Sequence, residues 1–190
     1  MKRFTALLLS LLLLFSCMVP ASAARMMQTF SNEYFQIYLP GDWVIDLSSV
    51  ADYYGKLDLG FAYSGDKTML LEAYLNFYSE WAQDSLWIND ASFEDYLIVL
   101  MDDFKNESPE MISKFYAGKY PGALLKLTGD YGTYLFGEIM INAYAYSFYF
   151  YLLNEDDTVN SNITQDEIEL FQSILETFIP SNTVAATNAN

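Results

Sequence analysis

The sequence predicts an α+β fold in which an antiparallel β-sheet of about six to eight strands is flanked by helices. Stretches of alternating apolar and polar residues follow one another directly, and strands in that order pair antiparallel. Two segments carry the spacing of amphipathic helices. The chain also has 14 Phe, 16 Tyr and three Trp in 190 residues, enough apolar area for a core on both faces of such a sheet.

Residues 1–23 have the organisation of a signal peptide. Lys2 and Arg3 precede an apolar run over residues 6–15, and the sequence Pro-Ala-Ser-Ala, which ends at Ala23, is a small-x-small cleavage site. The run is shorter than the roughly 20 apolar residues of a membrane span. We therefore expect cleavage after Ala23 and a secreted or other extracytoplasmic location.

Cys17 allows a second interpretation of this segment. The sequence Leu-Phe-Ser-Cys that it ends resembles a bacterial lipobox, so Cys17 is a candidate for lipidation. The domain would then be tethered to the cell envelope, with residues 18 to about 30 as the linker. Cys17 is the only cysteine, so cleavage after Ala23 leaves no disulfide.

The remainder suits one domain, residues 24–180, followed by a polar tail over residues 181–190 that we expect to be disordered. The net charge is −16. Such a surface repels nucleic acid and anionic lipid and attracts cations or basic proteins. The charge also has a simpler explanation, which is solubility.

The first half of the domain predicts two hairpins. Residues 33–39 alternate as a strand, the turn Pro-Gly-Asp at 40–42 follows, and residues 43–45 are expected to return as its partner. Residues 59–63 and 69–77 form the second hairpin, with Met69, Leu71, Ala73, Leu75 and Phe77 on one face.

The second half predicts a helix, four strands and a final helix. The first helix begins near Ser92 and ends near Asn106. The strands are 111–116, 123–128, 133–141 and 144–153. Thr164 and Glu167 form the capping box of the last helix, whose apolar stripe runs to Ile179 before Pro180 ends it.

The strand with its turn, Tyr-Phe-Gln-Ile-Tyr-Leu-Pro-Gly-Asp-Trp at residues 34–43, and the closing Ile-Leu-Glu-Thr-Phe at 174–178 resemble the PsbP-like superfamily. That group includes the extrinsic photosystem subunit, Mog, and bacterial secreted or lipoprotein relatives such as DcrB. The resemblance implies an αβα sandwich and an accessory or interaction role without a catalytic motif.

The residue inventory excludes several kinds of chemistry. There is no histidine, so Ser-His-Asp and Cys-His nucleophiles and the usual zinc sites are excluded. Neither common glycine-rich phosphate loop occurs. We expect no cofactor, no metal and no catalytic residue.

Three features remain, each with a simpler explanation. Carboxylates near Trp81 and Trp87 suggest a glycosidase-like pair, whereas tryptophans in a small domain usually belong to the core. The carboxylates are Asp84, Asp90, Glu94 and Asp95. Residues 156–167 have the spacing of a calcium loop, but Ser161 replaces its glycine and a solvated loop explains them. Exposed tyrosines suit a recognition surface or the rim of a sheet.

These observations predict a non-enzymatic accessory or binding domain at the cell envelope, with a protein or small-molecule partner. Its candidate surface comprises Trp81, Trp87, Tyr53 and Tyr54. A small secreted hydrolase using paired carboxylates and a lipid-anchored structural protein are the alternatives.

Overall fold

The computed structural model describes residues 27–47, 51–53, 56–77, 90–141 and 144–181. The strands are β1 Met27–Ser31, β2 Phe35–Pro40, β3 Val44–Asp46, β4 Ala51–Tyr53, β5 Lys56–Tyr63, β6 Met69–Phe77, β7 Glu110–Ala117, β8 Tyr120–Gly129, β9 Gly132–Ile141, β10 Tyr144–Leu152 and β11 Ile179–Pro180. The helices are α1 Asp90–Asp103, a 3-10 turn Lys105–Glu107 and α2 Gln165–Glu176.

The strands form two sheets. The main sheet has the order β3-β5-β6-β10-β9-β8-β7, and β4 pairs with β5 beside β3. All its pairings are antiparallel. The small sheet has the order β1-β2-β11, so strands from both ends of the described chain flank β2. The predicted antiparallel α+β fold is confirmed.

One face of the main sheet, the α2 side, carries the larger core. The small sheet and α2 pack there, and the Phe35 ring meets those of Phe148 and Phe178 at centroid distances of 5.7 and 6.1 Å. Alternation along β10 places Tyr146, Phe148 and Phe150 on this side.

The opposite face, the α1 side, is covered in part by α1. Phe93, Tyr96, Leu97 and Leu100 at helical spacing pack on β8, β9 and the start of β10. The small side chain of Ala145 on this face lets the helix approach. Helices on both faces agree with the predicted αβα arrangement.

A β-bulge in β5 sets which residues face each side. The register with β6 shifts between Asp58 and Phe61, and Gly60 between them has φ +99°. The extra residue keeps both Leu59 and Ala62 in the α2-side core, while Asp58 and Phe61 lie on the α1 side.

Two predicted elements are wrong in detail. Residues 43–45 do not pair with β2: β3 pairs with β5 in the main sheet, and the partner of β2 is the unpredicted β1. The turn after Pro40 thus carries the chain from one sheet to the other. The last helix ends at Glu176, and Ile179 is exposed in β11 instead of continuing the apolar stripe.

The other predicted elements agree with the structure. The β5–β6 hairpin, strands β7 to β10 and both helices lie within a few residues of their predicted bounds. Within the described ranges, no helix has the length and apolar character that crossing a membrane requires.

Candidate functional site

A group of polar and aromatic side chains, here called the polar patch, lies on the α1 side of the main sheet, across β5, β6, β10 and β9. Strand register aligns Asp58, Tyr74, Ser147 and Glu138 in one row across the four strands. Neighbouring rows add further side chains of the same face. The polar patch comprises Lys56, Asp58, Glu72, Tyr74, Asn76, Glu138, Ser147 and Tyr149.

Glu138 is the buried end of the patch. It is only 2% exposed, within a β9 strand whose neighbouring residues are buried and mostly apolar. The hydroxyl of Ser147 donates to its Oε2, and the Asn76 amide donates to the same Ser147 oxygen at 2.7 Å. Its Oε1 has no hydrogen-bond partner among the described residues. A buried acceptor of this kind is rare in folded proteins.

Burial governs the ionisation of Glu138. Loss of solvation raises the pKa of its carboxyl to about 7, against the lowering effects of the Ser147 hydrogen bond and the positive charge of Lys56. The group therefore exchanges its proton near neutral pH.

Lys56 supplies the positive charge of the patch. Its Nζ lies 3.7 Å from the ring centroid of Tyr74 and 5.0 Å from that of Tyr149. The two rings meet edge to face, 5.6 Å apart. The ion pairs of the described chain are Lys105–Asp102 and Lys114–Glu94, so ring faces hold this ammonium instead of a contacting carboxylate.

Three carboxyl groups act on Lys56 from a greater distance. Burial lowers the pKa of its ammonium, whereas the negative charges of Glu72, Asp58 and Glu138 raise it. Burial also raises the pKa of Glu72, whose Oε2 accepts a hydrogen bond from the Tyr74 hydroxyl at 3.3 Å. The Gly60 amide at the bulge donates to Asp58 Oδ1 at 2.8 Å and fixes that carboxylate.

This arrangement suits recognition of a cation. Tyrosine ring faces and unpaired carboxylates are the groups that attract ammonium and guanidinium ions. Within the described chain, no cluster of three His, Cys, Asp or Glu side chains is arranged to hold a metal ion.

A carboxyl with a raised pKa is also what a hydrolase needs as its acid. Glu138 has that property, but both it and Ser147 are buried and its Oε2 is engaged. It is therefore out of reach of a glycosidic oxygen. Glu72, which is half-buried, is the carboxyl of raised pKa that a substrate can approach.

Most residues of the predicted recognition surface are not among those that the structure describes. Trp81, Trp87, Tyr54 and the candidate lipidation site Cys17 are not among the described residues. Tyr53 is in β4, and its backbone pairs with Lys56 of the polar patch. Only the backbone of Tyr53 among these residues is therefore placed beside the patch.

The structure does not bring the carboxylates proposed for hydrolysis together as a pair across a cleft, as far as its described residues show. Glu94 accepts a bond of 2.6 Å from Lys114 on the exposed side of the protein, and Asp95 is exposed on α1. Asp90 begins α1, and Asp84 lies outside the described residues.

The segment with calcium-loop spacing is an exposed turn whose polar groups bond one another. Asp156 accepts from Thr158, and Asn160 accepts from the Asn162 amide at 3.0 Å. Glu167 accepts from the Thr164 amide at 2.8 Å, so the predicted capping box is confirmed.

Sequence reasoning missed Glu138, Ser147 and Lys56. Glu138 does carry a signal, since it is the one charged residue in the otherwise largely apolar segment 133–141. Lys56 carries none, because its place over the two rings depends on strand register.

Comparisons with known proteins give a likeness to solved structures. No family model matches the sequence, and no curated protein matches it. The chain is similar to the solution structure of cyanobacterial PsbP (CyanoP) from Synechocystis sp. PCC 6803. The TM-score is 0.47 and the identity 12%, over 82% of this chain and 93% of that one. The binding argument below rests on this chain's own side chains.

Proposed function

We propose that this chain is an extracytoplasmic, non-enzymatic binding domain that acts at the cell envelope and recognises a basic segment of a partner protein. The polar patch is the observation that carries the proposal. It combines the rings of Tyr74 and Tyr149 with the carboxylates of Asp58 and Glu72. Neither carboxylate forms an ion pair with a described lysine or arginine.

Charge complementarity supports a basic partner. The chain has nine Lys and Arg against 25 Asp and Glu, so its field attracts positive segments at long range. The half-buried tyrosines then provide short-range contact area at low entropic cost.

The proposed location rests on residues 1–23 as a cleaved signal peptide, with one domain over 24–180 and a polar tail over 181–190. Intact-mass measurement of the protein from its native host tests this. A chain beginning at Ala24 supports secretion, and a diacylated chain beginning at Cys17 supports an envelope anchor. A chain that retains Met1 or Lys2 contradicts both.

A binding titration tests the proposed partner class. The probe is a synthetic peptide of alternating Lys and Ser, with a Glu-Ser peptide as the negative control, at ~0.15 M salt, where the Debye length is about 8 Å. We expect the double variant Asp58→Asn, Glu72→Gln to bind the basic peptide at least about fivefold more weakly than the unmodified protein, because two charge contacts are removed.

The matched control is Asp103→Asn, Glu110→Gln, which removes the same charge from exposed positions outside the patch. We expect it to weaken binding by less than about twofold. Equal losses in both double variants would reject the patch as the site. Equal affinity for lysine amide alone would reject a protein partner in favour of a small cation.

A small secreted hydrolase is the second candidate, and the raised pKa of the half-buried Glu72 is the observation that favours it. It predicts hydrolysis of cell-envelope polysaccharide that Glu72→Gln abolishes. We expect no reducing ends above those of a protein-free control. Release that depends on Glu72 would replace the binding proposal.

A further inference from the structure

The Lys56 ammonium occupies the part of the polar patch best suited to a foreign cation. Its Nζ lies over the face of Tyr74 at 3.7 Å and within 5.0 Å of the Tyr149 centroid. Cation–π contacts extend to about 6 Å from the centroid, so both rings contribute.

Three carboxyl groups of the polar patch act on the ammonium without an ion-pair contact to it. Glu72 is tied to the Tyr74 hydroxyl, Asp58 to the Gly60 amide, and Glu138 Oε2 to Ser147. The buried Glu138 Oε1 remains without a partner among the described residues. The two rings, with these carboxyl groups in the same patch, form an aromatic cage for an ammonium ion, and the Lys56 side chain fills it.

Lys56 is also a replaceable occupant. It is half-buried at the first residue of β5 and has a flexible four-carbon stem. Burial lowers the pKa of its ammonium, and the negative charges of Glu72, Asp58 and Glu138 oppose this only in part.

We propose that the Tyr74–Tyr149 cage is the anchoring site for one lysine ammonium of the basic partner, and that Lys56 is an internal competitor which leaves the cage when the partner's lysine enters. This inference rests on the proposed function and adds to it the atom that is recognised. It explains how a lysine-bearing segment binds a site already filled by a like charge.

Removal of the competitor is the decisive test. If Lys56 fills the cage about nine-tenths of the time, the apparent dissociation constant is about tenfold weaker than the intrinsic one. We expect Lys56→Met to bind the Lys-Ser peptide about fivefold to tenfold more tightly than the unmodified protein.

Lys119→Met is the matched control. Its ammonium lies 5.3 Å from the centroid of Tyr120, so the variant removes the same charge and a similar ring contact away from the cage. We expect a gain of less than about twofold. Equal gains in the two variants would reject the cage and leave the basic partner standing. Absence of peptide binding in every variant, the unmodified protein included, would reject the proposed function itself.

A spectroscopic measurement follows Lys56 directly. We expect ring currents of Tyr74 and Tyr149 to shift its side-chain ε-methylene proton resonances upfield in the free protein. Saturation with the peptide should return these resonances to the values of a solvated lysine. Resonances that stay upfield at saturation would show that the peptide binds elsewhere and would overturn the inference.

The ring dependence is tested in the Lys56→Met background. Tyr74→Phe retains the ring and loses only the bond to Glu72, whereas Tyr74→Leu loses the ring. We expect the phenylalanine variant to keep the gain in affinity and the leucine variant to lose it, with circular dichroism verifying that both fold. Equal affinities of the two folded variants would contradict a cage.

Discussion

Glu138 shows how a single side chain can couple folding to pH. Its carboxyl lies inside the sheet with one oxygen bound to Ser147 and the other without a described partner. Burial raises its pKa from 4.5 to about 7, so the folded protein prefers the neutral acid.

The sign of the pH effect follows from that shift. Well below pH 4.5 the group is protonated in both the folded and the unfolded states and carries no penalty. As the pH rises from 4.5 to about 7, the unfolded state loses its proton first, and the folded state is destabilised. Above about pH 7 the penalty stays constant.

Replacing Glu138 by Gln removes this titration and keeps the shape of the side chain. We expect the free energy of unfolding of Glu138→Gln, relative to the unmodified protein, to increase by about 3 kcal/mol between pH 4.5 and pH 8. Urea unfolding at the two values measures it. Glu110→Gln, at an exposed position, is the control and should show no such difference. A difference for Glu138→Gln that is the same at both pH values would contradict the assigned ionisation.

The site was less predictable than the elements that carry it. The sequence indicates tyrosine-rich strands and a recognition surface, and Tyr53 does adjoin the patch. The positions of Lys56 and Glu138 depend on pairing between strands far apart in sequence. Local periodicity contains no information on such register.

At the scale of elements, the contact between α2 and β9 depends on the absence of a side chain at Gly137. A Cβ placed on Gly137 would lie 2.3 Å from Leu175 Cδ1 and 3.1 Å from Phe171 Cζ. Both of these side chains are buried in the α2-side core. Glycine at this position therefore sets how closely the helix approaches the sheet.

Gly137→Ala should accordingly move the helix outward or strain the two side chains. We expect a loss of about 1–3 kcal/mol in the free energy of unfolding, the usual effect of overpacking. Gly118→Ala is the comparison: a Cβ there meets nothing within 4 Å, and only its φ of +63° opposes alanine. That variant should lose about 1 kcal/mol. If Gly137→Ala loses no more free energy of unfolding than Gly118→Ala, then α2 can move away from the sheet without destabilising the protein.

Strands β5 to β10 were predictable because alternating or largely apolar runs are separated there by turn residues such as Gly65, Gly118 and Gly129. The partner of β2 was not. Pro40-Gly41-Asp42 has the composition of a hairpin turn, and Trp43 does follow it, but Trp43 stacks on Phe150 of β10. Burial of Trp43 against the main sheet thus outweighs the pairing of residues 43–45 with β2 that the turn favours.

At the scale of the whole molecule, charge repulsion opposes folding. The net charge is −16, and the two ion pairs of the described chain are exposed and contribute little. Salt therefore weakens the repulsion between carboxylates more than it weakens the attraction within ion pairs.

We expect the melting temperature at pH 7 to rise by a few degrees when NaCl is increased from ~10 mM to ~0.5 M. Differential scanning calorimetry measures the shift, and equal osmolality of sucrose separates it from solute exclusion. A melting temperature that falls with NaCl would mean that attractive pairs outweigh the repulsion.

The small sheet determines how the domain can be presented to its surroundings. Its strands β1 and β11 flank β2 on the α2 side, so the described chain begins and ends there, across the main sheet from the polar patch. An attachment upstream of Met27 would join the domain on the α2 side of the main sheet. The tyrosine cage would then point away from the anchoring surface, toward whatever approaches it.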